Sequence, residues 1–204
     1  MNKSNIGAVI LAAGTSSRMG ATKQLLRMGD ATLLTRVLTT VRSSRIDEIV
    51  LVLGHEAAAI EASIDARNLK LVINERYREG MASSLAAGLA ALTPQISAAF
   101  IVLADQPFVL PNTLDQLIAA YDATRAPIVM PTHNGTRGNP VLLDRSIFSE
   151  ITALKGDVGA RAIFANHMEE IQKVPVDDPG ILVDFDNQED WEKFQQQQKQ
   201  KSNT

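Results

Sequence analysis

The 204-residue sequence contains no cysteine. Disulfides, thiolate nucleophiles and cysteine-ligated zinc or iron–sulfur centres are thereby excluded. It also lacks a strong charge of either sign: 20 Lys and Arg stand against 23 Asp and Glu, a net −3. A broad cationic surface for nucleic acid is therefore not expected, and any anion site must be local. No apolar run approaches the roughly 20 residues of a membrane-spanning helix. The N-terminal stretch, with one Lys3 ahead of a short apolar run, reads as a core strand rather than a signal peptide. Cytoplasmic location, with neither nucleic acid nor membrane as partner, is the resulting expectation. The three histidines, His55, His133 and His167, have no H-x-x-x-H spacing and suggest surface residues rather than zinc ligands. What is present is ordinary globular material, 45% hydrophobic and 21% charged, enough for a substantial core. One domain over residues 1–193 is expected, with 194–204 the end of a last helix and a polar, disordered tail.

Apolar periodicity orders the chain. Ala8-Val9-Ile10-Leu11 has the length and β-branching of a strand buried on both faces. Leu33, Leu34, Val37, Leu38 and Val41 recur at helical spacing, predicting a helix from about Thr32 to Ser43. Ile49–Leu53 is a second strand, Ala57, Ile60 and Ile64 suggest a helix, and residues 69–73 a third strand. The order βαβαβ implies parallel strands with right-handed crossovers and helices on both faces. Further strands are expected at Phe100–Leu103 and Ile128–Met130, and a helix after Pro111. Ile147, Phe148, Ile151 and Leu154 form a helical stripe, and another helix is expected to begin at Val158.

Chemistry concentrates at strand ends. After the first strand the chain breaks at Gly14 into small and hydroxylated residues that deliver Arg18 and Lys23. Such a loop can turn backbone N–H groups and two cations toward phosphates; it can equally be a plain βα connection. It is neither a Walker A loop nor a G-x-G-x-x-G fingerprint, because Lys23 lies three beyond Gly20 and position 16 is serine. Gly80 precedes Ser83 and Ser84, which either start a helix or offer its first turn to an anion. Asp105 follows the fourth strand directly, where ligands of open α/β sheets bind, and its carboxylate suits magnesium or a simple turn. Asp184 and Asp186, in a segment read as extended, point to one side and can meet a metal together. Asp157 is placed to cap the helix expected at Val158.

These stretches carry a resemblance. Leu11-Ala12-Ala13-Gly14, Ser17-Arg18-Met19-Gly20 and Lys23-Gln24-Leu25-Leu26 resemble the opening signature of the MobA-like nucleotidyltransferases, closest to the molybdenum cofactor cytidylyltransferases. Gly80-Met81 with Ser84-Leu85, Leu103-Ala104-Asp105-Gln106-Pro107, Gly138-Asn139-Pro140, Gly156-Asp157-Val158-Gly159-Ala160-Arg161 and Asp184-Phe185-Asp186 follow in the family's order. Phe185, Asn187 and Gln188 depart from its usual residues.

The resemblance implies an α/β fold: a three-layer α/β/α sandwich with a mostly parallel, Rossmann-like sheet. It implies transfer of CMP from CTP to the terminal phosphate of molybdopterin, with release of pyrophosphate. Leu11, Ala12, Ala13, Gly14, Arg18, Lys23, Gly80, Ser83, Ser84 and Asp105 would hold the nucleotide. Asp105 with Asp186 or Asp184 would hold Mg2+, and Arg18 and Lys23 would carry catalysis. Arg137, Gly138, Asn139 and Arg161 would border the acceptor, and a molybdoenzyme or its insertion chaperone would receive the product. Ala13 favours CTP over GTP, since guanylyl relatives usually have glycine there. A guanylyltransferase, a cytidylyltransferase for another phosphorylated small molecule, and a non-catalytic chaperone delivering the cofactor are the alternatives.

Overall fold

Alternation along two strands builds the molecule. In β1 (Ile6–Ala12), Ile6, Ala8, Ile10 and Ala12 enter one apolar cluster and Val9 the opposite one. Two short strands, β2 (Arg27–Met28) and β3 (Ala31–Thr32), pair with each other and lead into helix α1 (Leu33–Arg42). In β4 (Glu48–Leu53), Ile49, Leu51 and Leu53 face the first cluster, Val50 and Val52 the second. A strand buried on both faces must be covered by helices on both.

The chain continues through α2 (Ala57–Ala62), β5 (Lys70–Ile73), α3 (Met81–Ala91), β6 (Ala98–Leu103), α4 (Pro111–Thr124), β7 (Ile128–His133), β8 (Thr136–Arg137), β9 (Val141–Asp144), α5 (Phe148–Thr152), β10 (Ile171–Pro175) and α6 (Gln188–Ser202). This computed structural model describes residues 3–16, 22–185 and 187–202. Leu34 and Val37 of α1, Ile60 of α2 and Leu114 and Leu117 of α4 cover one face. Leu85 and Leu89 of α3 and Phe148 and Ile151 of α5 cover the other. α3 lies so close that a β-carbon on Gly88 would stand 2.3 Å from Val9 Cγ1.

The sheet runs β10-β7-β9-β6-β1-β4-β5, with β8 beside β7. β1 pairs in parallel with both β4 and β6, β4 with β5, and β10 with β7. The α/β class with a mostly parallel sheet therefore holds. β9, which sequence periodicity did not separate from the loop around it, lies antiparallel between β6 and β7. β10 was likewise not anticipated.

Three local expectations are corrected. No helix begins at Val158; a 3-10 helix spans Ala160–Glu170. Residues 181–185 are not one extended segment, because Pro179–Leu182 forms a 3-10 turn started by Asp178. Asp157 caps a different helix, as described below. α1 agrees with expectation, and Thr32 caps it by accepting from the Thr35 N–H at 3.1 Å. Among the described residues no helix is long and apolar enough to cross a membrane.

Candidate functional site

β1 has β4 on one side and β6 on the other, so the connections leave it in opposite directions. That is a switch point, and crevices in open α/β sheets form there, outside the carboxyl ends of the strands. The two strand ends are tied together, with the Ala104 N–H donating to the Leu11 carbonyl at 3.2 Å.

Beyond β1, Gly14 and Thr15 are exposed, and none of the described residues stands within 4 Å of where a β-carbon on Gly14 would be. The loop returns at Lys23, whose N–H donates to the Ser16 hydroxyl at 3.1 Å. Lys23 opens a 3-10 turn, Lys23–Leu25, in which Gln24 is buried and donates its amide to the Ala12 carbonyl at 3.2 Å. This anchoring fixes the lysine backbone at the mouth of the crevice. Its Nζ donates to Asp105 Oδ2 at 2.8 Å, with the two side chains only 17% and 20% exposed. The other oxygen, Asp105 Oδ1, is closed to solvent and has no hydrogen-bond partner among the described residues. The cationic turn and the acidic strand end thus share one place.

The second acidic segment reaches the same place through its backbone. The Phe185 N–H donates to the Asp105 carbonyl at 3.3 Å, so Asp184 precedes a residue joined directly to Asp105. Phe185 is buried with Trp191, and its ring contacts Trp191, Phe194 and Phe108. This cluster docks α6 against the acidic segment. Arg18 and Asp186 lie outside the described residues. Among the described residues no three His, Asp or Glu side chains group as a ready metal cage. The bare Asp105 Oδ1 nonetheless fits a cation that takes one or two carboxylates and draws its remaining ligands from water and phosphates.

The Gly80–Ser84 turn is engaged differently from the sequence reading. Gly80 has φ +105°, and a β-carbon on it would stand 2.3 Å from the Gly156 carbonyl carbon. The Met81 N–H donates to Asp157 Oδ1 at 3.3 Å and the Ala82 N–H to the Gly156 carbonyl at 3.2 Å. The first N–H groups of α3 are therefore satisfied within the chain rather than left for an anion. Asp157 supports α3, not a helix of its own. Asn74, unremarked in the sequence, donates to the Ser83 and Ser84 hydroxyls at 2.9 and 3.0 Å and is itself buried. Ala13 is buried too. A β-carbon on Gly54 would stand 2.9 Å from its methyl, so that methyl faces the protein interior.

On the acceptor side, Arg137 is exposed and stacks its guanidinium 5.2 Å over the Phe164 ring. Gly138 packs on Ile181, and the Asn139 N–H donates to the Ile181 carbonyl at 3.1 Å. Residues 137–139 are thus held near the acidic segment. Arg161 is exposed on the 3-10 helix that carries Phe164. Buried Asp178, also missed in the sequence, accepts from Leu110 N–H, the Thr113 hydroxyl and Gly180 N–H. It secures the turn that leads into residues 181–185.

Fold and site define an α/β protein with a paired lysine and aspartate at the switch point of its sheet, an arrangement suited to a metal-bound polyphosphate. The chain belongs to the MobA-like NTP transferase family, matching that domain over residues 8–171, and is a nucleotidyltransferase of that family. An NTP and a phosphorylated small molecule are the substrates the family implies.

Its relatives differ in their named activities. It is 28% identical to the nicotine blue oxidoreductase of Paenarthrobacter nicotinovorans, over 90% of this chain and 93% of that one. It is 25% identical to the molybdenum cofactor cytidylyltransferase of Escherichia coli K12, over 92% and 94%. The crystal structure of Rv0371c from Mycobacterium tuberculosis superimposes with TM-score 0.85 at 32% identity, covering 95% of this chain and 98% of that one. A structure of Rv0371c in complex with manganese gives TM-score 0.79 at 28% identity, over 94% and 98%.

Proposed function

We propose that the protein transfers CMP from CTP to the terminal phosphate of molybdopterin, releasing pyrophosphate. The observation that carries this reading is the contact between Lys23 and Asp105, which joins two motifs 82 residues apart at the switch point. The exposed Gly14, in the loop that leads to Lys23, is free to bring backbone N–H groups to the phosphates. Gly80, Ser83 and Ser84 flank the base and ribose, and Leu11–Gly14 form the floor. Arg137, Gly138, Asn139 and Arg161 receive the acceptor.

Asp105 holds magnesium together with Asp186 or Asp184; the unpartnered Oδ1 supports Asp105 in this role, and the manganese complex of Rv0371c is in keeping with a divalent ion. When bound, the ion supplies neutralisation of triphosphate charge. Lys23 and Arg18 neutralise what remains. A phosphate-monoester nucleophile has a second pKa of about 6 and is largely ionised at neutral pH, so no side-chain base is needed. Catalysis is then positioning and charge stabilisation.

CTP rests on the Leu11-Ala12-Ala13-Gly14 signature and the Escherichia coli relative. Because the Ala13 methyl faces inward, GTP with the same acceptor is the second reading. Pyrophosphate release from each NTP, with magnesium and with molybdopterin or other phosphorylated acceptors, is the test. Turnover with CTP and molybdopterin is expected. Turnover with GTP alone selects the second reading, and binding without pyrophosphate release overturns both.

A further inference from the structure

We infer that Asp178 is a positioning residue for the transfer site: its carboxylate ties the chain that follows Asp105 to the turn that leads into Asp184, and so fixes the spacing of the two acidic segments without meeting metal or substrate. The inference rests on the reading of Asp105 and the 184–186 segment as the metal-holding pair, and adds to it the group that sets them.

Two neighbouring aspartates have opposite fates. Asp177 is exposed, whereas Asp178 is only 2% exposed. A carboxylate so far from water is tolerated only where donors surround it. Asp178 has three, divided between its two oxygens. Oδ2 accepts from the Leu110 N–H at 2.9 Å and the Thr113 hydroxyl at 2.6 Å. Oδ1 accepts from the Gly180 N–H at 2.9 Å. The start of α4, which Leu110 does not cap with its own side chain, is therefore held from the far end of the chain. With both oxygens engaged and shielded, Asp178 is no metal ligand.

The segments it joins lie against each other up to the metal pair. A β-carbon on Gly180 would stand 2.2 Å from the Phe108 carbonyl oxygen. The Phe108 and Phe185 rings are 5.9 Å apart, and the Phe185 N–H reaches the Asp105 carbonyl at 3.3 Å. That last bond is long, while those to Asp178 are short, so the relative placement is set at Asp178. The same turn holds the acceptor side, since the Ile181 carbonyl accepts from the Asn139 N–H at 3.1 Å.

The test has two readouts on the full chain, neither requiring turnover. One is hydrogen exchange at the Phe185 N–H, followed by NMR without metal or nucleotide and taken relative to the Val9 N–H of β1, which reports global opening. The other is Mn2+ affinity in the presence of α,β-methylene-CTP, followed by electron paramagnetic resonance. Asp178→Asn is expected to speed the relative exchange at least about tenfold and to weaken Mn2+ binding about tenfold, the loss found when a ligand's supporting group is removed. Thr113→Val, which keeps the carboxylate and removes one donor, is expected to move both readouts the same way by about threefold. Leu51→Ala, destabilised at a distance, is expected to keep Mn2+ affinity within about twofold of wild type. Circular dichroism verifies folding, and Thr113→Val decides if Asp178→Asn does not fold. A folded Asp178→Asn in which either readout is unchanged overturns the inference, as does an equal loss of affinity in Leu51→Ala. Wild type that binds no Mn2+ overturns it together with the metal role of Asp105. Wild type that binds Mn2+ with the analogue yet releases no pyrophosphate from any NTP overturns the transfer reading and leaves the positioning standing.

Discussion

Lys23 donates to Asp105 at 2.8 Å where the first loop meets the end of β6, and its four-carbon stem carries a compact charge that other residues do not reproduce. Its loss should be felt in the chemistry: Lys23→Met is expected to lower kcat for pyrophosphate release by about 10²–10³, the cost of removing one preorganised donor from a developing oxyanion. Steady-state kinetics with saturating CTP measures it. Ala13 gives the opposite prediction. Its methyl is 4% exposed and turned toward Gly54, so Ala13→Gly should cost about 1 kcal/mol of stability through lost burial and added backbone freedom. The ratio of CTP to GTP turnover should stay unchanged, and a gain of GTP turnover in this variant would contradict this. Gln24, like Asp105, has one side-chain oxygen that is closed to solvent and has no hydrogen-bond partner among the described residues. Leaving such a group unsatisfied costs about 1–3 kcal/mol, and both of them flank the crevice.

At the level of elements, the start of α3 and the 155–159 segment behave as one piece. Gly80 needs its positive φ and has no room for a side chain against Gly156. Gly80→Ala is therefore expected to destabilise the protein by about 1–3 kcal/mol and to raise the KM for CTP, read by thermal melting and kinetics.

A second junction joins α5 to the 3-10 helix of residues 160–170. His167 bonds Glu150 through Nε2 and Glu170 through Nδ1, each at 3.0 Å. The hydrogen bonds from Glu150 and then Glu170 hold the imidazole pKa above its ordinary value, against partial desolvation. The folded state thus favours the charged ring. That stabilisation is complete below about pH 6.5, the unfolded value, and is lost as pH rises through the elevated folded value. The melting temperature should fall across that window, and His167→Gln should flatten the profile. An unchanged profile in the variant would remove His167 as its source.

Across the whole molecule, the sheet carries the main core and the C-terminal helix packs on the acidic segment that precedes it. Leu51, wholly buried on β4 between β1 and β5, should cost about 2–5 kcal/mol when cut to Ala. Trp191 is buried too, but in a separate aromatic cluster with Phe185, Phe194 and Phe108. Trp191→Ala is expected to lower the global melting temperature less than Leu51→Ala. Its larger effect should be on Mn2+ affinity in the presence of a CTP analogue, because the acidic segment beside Asp105 loses its anchor. Equal losses of metal affinity in the two variants would contradict this division.

The sequence by itself determined the strands, since Val9, Ile10, Val50 and Leu51 must be covered on both faces wherever the chain goes. It also determined the chemistry-bearing ends, because Lys23 and Asp105 follow apolar runs and stand in motifs that occur in order. Only the tertiary structure decided which ends meet. Pairing β1 between β4 and β6 is a long-range choice that no local pattern encodes, and it alone brings Lys23 to Asp105. The partners of exposed N–H groups were hidden for the same reason: Asp157 reads as a cap for the residue after it, yet the N–H it reaches belongs to Met81, 76 positions earlier. β9 was invisible because four residues between loops have too short a period to declare a strand, and the gap between β6 and β7 that it fills exists only once the sheet is assembled.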